Sequence, residues 1–111
     1  MMNLVGRWKP IYRQATFGET PFRNVKENSI ATIVINEDGV SGYMERKKMF
    51  GRVAREDIIV GATDNPDMML IMQPETRTAM LAMLDEGGKL VTKWDSPIGA
   101  INGMCVIYER Q

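Results

Sequence analysis

At 111 residues the chain has the length of one domain, read here as a single domain over residues 1–111, and it can bury a core without staples. Its 14 basic and 14 acidic side chains cancel, so no global charge steers it toward nucleic acid or anionic lipid. One cysteine excludes an internal disulfide and a multi-cysteine metal site, and the lack of histidine removes the commonest neutral-pH acid/base and metal ligand.

Met1 to Arg7 shows no apolar run behind a basic start, so no secretory signal is expected. No stretch approaches the roughly 20 apolar residues of a membrane helix. A cytoplasmic location follows as an expectation, and neither cofactor nor metal is called for.

Leu4 to Arg13 alternates, with Trp8, Pro10 and Tyr12 on one face and Arg7, Lys9, Ile11 and Arg13 on the other, which predicts a first strand. Pro10 has no N–H for a ladder, so this strand is an edge or bends there. Gln14 to Asn28 reads as a long loop, anchored by Phe17, Phe22 and Val25. Ile30 to Ile35 is β-branched and apolar, a second strand. Asp38-Gly39 then supplies the positive-φ pair of a tight hairpin, and Val40 to Lys48 is the third strand. Gly42 and Gly51 mark bends, bulges or close backbone approaches within or beside the strands.

Phe50 to Arg55 predicts a short fourth strand, ended by Glu56-Asp57, and Ile58 to Ala62 a fifth. Thr63 to Asp67 is a turn cluster. Met68 to Met72 is continuously apolar, hence buried on both faces or packed under a helix. Pro74 to Leu84 admits two readings: a short helix behind Pro74, or a strand from Thr78 to Leu84 paired through Asp85 to Gly88 with Lys89 to Trp94. The Gly87-Gly88 turn favours the hairpin. Asp95 to Gly103 is a loop and Met104 to Glu109 the last strand. Many short strands with glycine turns predict a mainly β fold, an antiparallel, incompletely closed barrel with at most one short helix.

Few residues invite chemistry. Cys105 reads as a buried structural thiol, with no histidine to activate it. Glu56-Asp57 and Asp85-Glu86 read as solvated turn residues rather than facing acid/base couples. Asp64 to Asp67 lacks the glycine and distal glutamate of a calcium loop. Trp8, Tyr12, Tyr43, Phe50, Trp94 and Tyr108 are assigned to the core. Arg46, Lys47, Lys48, Arg52 and Arg55 cluster on the central hairpin, either as a charged tip that discourages edge pairing or as a contact for anionic lipid or an acidic partner. Met68, Met69, Met72, Met80 and Met83 are either core or a plastic groove for a peptide or acyl chain. No interleaved aromatic platform supports nucleic-acid binding.

Asp38-Gly39-Val40-Ser41-Gly42-Tyr43, followed by Phe50-Gly51, resembles the signature of the META domain, a family of bacterial heat-shock-associated lipoproteins and small trypanosomatid proteins. Leu4-Val5-Gly6-Arg7-Trp8 resembles the family's start and Val106 to Arg110 its end. Trp8, Asp38, Gly39, Ser41, Gly42, Tyr43, Phe50 and Gly51 carry the likeness. Bacterial members have Gly-Cys-Asn where this chain has Glu45-Arg46-Lys47, so a role tied to those residues does not carry over, and the trypanosomatid branch is the better match. The resemblance implies a small cracked barrel without enzymatic activity. It further implies a protein or lipid partner, a link to secretion, trafficking and infective-stage development, and a place near the secretory or flagellar-pocket region. Gly6-Arg7-Trp8 on a first strand also resembles lipocalins and intracellular fatty-acid carriers, whose barrels hold a lipid in an apolar cavity.

Overall fold

The computed structural model describes residues 3–15, 23–24, 31–47, 49–94 and 104–111. Among the described residues nine strands form one sheet: β1 (Gly6–Ala15), β2 (Arg23–Asn24), β3 (Thr32–Ile35), β4 (Ser41–Lys47), β5 (Val53–Ala62), β6 (Met69–Gln73), β7 (Thr78–Leu84), β8 (Leu90–Trp94) and β9 (Met104–Arg110). Every pairing is antiparallel. From β3 to β9 each strand pairs with the next in sequence, and β9 returns to β1. Eight strands therefore close into an up-and-down barrel, with β2 a short addition to β1.

Closure corrects the expected cracked barrel. The seam runs from Trp8↔Arg110 to Ala15↔Met104, as many paired residues as the β4–β5 ladder. Its register shifts between Pro10 and Tyr12, a bulge beside the residue that has no N–H to give. The bend expected at Pro10 thus serves closure, which removes the exposed edges of an open sheet.

Two further expectations change. The predicted break at Glu56-Asp57 does not occur, and β5 runs unbroken from Val53 to Ala62. Glu56 is held on the inner face by the Gln73 amide, which donates to its Oε2 at 2.6 Å, while Asp57 points outward. Thr78 to Leu84 is strand β7, as the hairpin reading had it; the only helical turn among the described residues is a 3-10 turn at Met49–Gly51. The Gln14–Asn28 loop gives way at its start to the end of β1 and in its middle to β2. Phe17, Phe22, Val25, Lys48 and the Asp95–Gly103 loop lie outside the described residues.

Alternation places Trp8, Ile33, Ile35, Met44, Ile58, Val60, Ile71, Met80, Ala82, Leu90, Val106 and Tyr108 inside, all buried. The barrel has two unlike ends. At the base lie the start of β1, the end of β9 and the turns Asn36–Val40, Thr63–Met68 and Asp85–Lys89. At the rim lie the β4–β5 tip, the Pro74–Arg77 turn and the far ends of β1, β8 and β9.

The base is sealed by Trp8. Its indole N–H donates to the Leu4 carbonyl at 2.9 Å, and the Arg110 guanidinium lies 4.5 Å over its ring. Arg110 also donates to the Asn3 carbonyl at 2.8 Å, tying the two ends of the chain.

Candidate functional site

The central turn is built as its residue types require. Asp38 Oδ1 accepts from the Val40 and Ser41 amides at 3.0 Å each, and Oδ2 accepts from the Ser41 hydroxyl at 2.6 Å. Those bonds, the hydroxyl's foremost, hold the Asp38 carboxyl below the usual range. Gly39 takes φ 75, the conformation that glycine tolerates best. Gly42 pairs with Ile35, and a Cβ there would fall onto the Val34 carbonyl oxygen. Ser41, Gly42 and their neighbours are thus accounted for as scaffold.

The basic hairpin is less concentrated than its sequence. Arg46 lies on the inner side of the hairpin, across the ladder from Ala54 and 4.0 Å from Glu56. Arg55 lies on the outer side, 2.6 Å from Glu45 and 4.5 Å over the Tyr43 ring. Lys47 and Arg52 are exposed at the tip, with no acidic partner within 4.0 Å among the described residues. Phe50, assigned to a strand and to the core, is instead 94% exposed in the tip turn, and Gly51 beside it has φ 74.

The methionines also divide. Met69 and Met80 are buried inside the barrel, where they fill it. Met68 is half-buried in a base turn. Met72 and Met83 face outward, on β6 and β7. The five do not line one groove.

Met72 and Met83 instead belong to a surface that the sequence did not show. Cross-strand pairing aligns outward residues in rows: Ile59, Met72 and Ala79; then Gly61, Leu70, Leu81, Lys93 and Cys105; then Met83, Val91 and Ile107. The outer face from the second half of β5 to β9 is therefore apolar across five strands. Lys93 is the one charge within these rows. Ile59 and Met83 are 48% and 38% exposed, and the other apolar side chains of the rows are half-buried. Gly61 leaves room for the Met72 methyl, whose Cε stands 3.1 Å from where a Cβ would be.

The opposite outer face is mostly polar, with Val34 and Val53 its apolar exceptions. Arg7, Thr32, Glu45, Arg55 and Asp57 lie on β1, β3, β4 and the first half of β5, with Tyr43 under Arg55. Compared with models of known protein families, with curated proteins and with solved structures, the chain matches none.

One signal could have found the apolar face. Met68–Met72 and Ala79–Leu84 are apolar at consecutive positions, and a barrel wall buries only every second one. The remaining half must face out unless a helix covers it. Cys105 is in the same position: half-buried on the outer face across from Lys93, with burial raising its thiol pKa and the lysine opposing.

Inside the rim, polar groups form a chain. Thr78 Oγ1 donates to Gln73 Oε1 at 2.7 Å, Gln73 donates to Glu56, and Thr76 and Thr78 share a hydrogen bond of 2.8 Å. The adjacent carboxylates Glu56 and Asp57 occupy opposite faces, so they cannot act as a facing acid/base couple.

Proposed function

We propose that the protein is a non-enzymatic binding module, an adaptor of the META type, that docks a protein partner on the apolar outer face of β5 to β9. The observation that carries this reading is the two-sided exterior: one side of the barrel carries Arg7, Glu45, Arg55 and Asp57, while Lys93 is the one charge in the cross-strand rows of the other. Contiguous apolar surface on a folded domain marks an interaction site. Met72 and Met83 give that surface the adaptability to repack around a partner. The family resemblance extends the reading to secretion or trafficking and infective-stage development in a trypanosomatid.

Affinity capture from native lysate tests it. The wild type is expected to retain a defined protein that Leu81→Lys with Val91→Lys loses, while Arg46→Glu retains it. Equal capture by all three, or none by the wild type, contradicts the reading.

A second reading, an intracellular lipid or fatty-acid carrier of lipocalin type, is favoured by one observation: a closed up-and-down barrel sealed at its base by Trp8. Against it stands the packed middle of the barrel, where Ile33, Thr92, Leu90, Val106 and Tyr108 have no free surface. A carrier of this kind needs roughly 300 Å³ or more of space. Native mass spectrometry of the untagged protein separates the two, since a carrier retains a stoichiometric lipid and the adaptor does not.

A further inference from the structure

The tip of the β4–β5 hairpin carries a feature independent of the apolar outer face. Phe50 stands 94% exposed on a backbone at φ 65, ψ 27, in the left-handed region that L side chains rarely adopt. Glycine would take that conformation freely and present no ring to water. On the same tip are Lys47 and Arg52, exposed and without an acidic partner within 4.0 Å among the described residues. Val53, across the ladder from Lys47, is 53% exposed. Arg46 and Arg55, further down the hairpin, already face Glu56 and Glu45.

We propose that this tip inserts Phe50 into the interfacial layer of a membrane whose surface carries anionic phospholipid, with Lys47 and Arg52 against the headgroups. An aromatic ring settles at headgroup depth, and each nearby basic side chain gains from the negative surface. An acidic protein would account for the two cations and leave the displayed ring unexplained. The chain as a whole is neutral, so the attraction is confined to the tip.

Co-sedimentation with phosphatidylcholine vesicles, with and without phosphatidylserine, tests the proposal. The wild type is expected to sediment with the anionic vesicles only, and to be released by salt. Lys47→Ala and Arg52→Ala should each lower partitioning roughly fivefold. Phe50→Gly should lower it roughly tenfold while its Tm holds or rises, because the backbone strain is relieved. Three results overturn the proposal: no sedimentation, equal sedimentation with both vesicle types, or a Phe50→Gly protein that binds as the wild type does. Binding to soluble polyglutamate without binding to vesicles assigns the tip to an acidic protein and also overturns it.

Discussion

Tyr108 shows most plainly what the barrel interior demands of one residue. Its phenol is fully buried, and the neighbouring Thr92 hydroxyl donates to the Val106 carbonyl at 3.1 Å. The Tyr108 hydroxyl has no hydrogen bond of ordinary geometry, although Thr92 lies near enough to favour the phenolate slightly. A buried hydroxyl left unmade costs about 1–3 kcal/mol. Tyr108→Phe is therefore expected to leave stability unchanged or raise it by about 1 kcal/mol in denaturant unfolding; a loss of that size would show a hidden partner. Burial, the dominant effect, raises the pKa well above the ordinary tyrosine value near 10. The fold keeps a proton that the unfolded chain surrenders, so this contribution is complete below about pH 10 and lost as pH rises further. Cys105 acts with the same sign from about pH 9. The alkaline limb of a stability–pH profile should flatten in Tyr108→Phe and otherwise stay as in the wild type.

Hairpins are the units in which sequence and structure agree best. Asp38-Gly39 and the Gly87-Gly88 turn announced their turns because the chemistry is local: a side-chain oxygen near the amides it caps, and a glycine at positive φ. Asp38 has the opposite acid dependence to Tyr108, since its lowered pKa makes the turn's contribution present above the ordinary carboxylate range and lost as pH falls through it. Gly42 was legible as a close approach, though not what it approaches. Gly42→Ala would drive a Cβ into the Val34 carbonyl and Ile35 backbone, neither of which can yield. It should cost about 3 kcal/mol or more, against about 1 kcal/mol for Gly51→Ala, whose surroundings are open and which suffers only from its φ. Thermal melts of the two variants check the ranking. The false break at Glu56-Asp57 has a different origin. Two charges in a row look like a turn, and the Gln73 amide that accommodates Glu56 is a residue of the next strand.

At the scale of the whole molecule, the features invisible in the sequence are the ones joining distant segments. Closure depends on β1 meeting β9, and the base seal on Arg110 covering Trp8. Neither pairing leaves a periodic trace. The sequence leaves the five methionines open between core and groove, and a period of two divides them, sending Met69 and Met80 inward and Met72 and Met83 outward. The hairpin cations are adjacent in sequence, as a charged tip or a contact patch would have them, yet Arg55 and Arg46 face Glu45 and Glu56. What remains is a closed barrel with a charged side and an apolar side, and the account stands on the second being covered in the cell. Leu81 and Val91 point away from the core, so Leu81→Lys with Val91→Lys should keep the wild-type melting profile within a few degrees, on the order of a surface substitution. Cys105 lies within the apolar face and reports on it without added label. The decisive measurement is the rate at which N-ethylmaleimide modifies Cys105, at mildly alkaline pH, in the purified protein and in native lysate. The account predicts modification several-fold slower in lysate, with the fast rate restored by Leu81→Lys and Val91→Lys; equal rates for the wild type in both settings would contradict it.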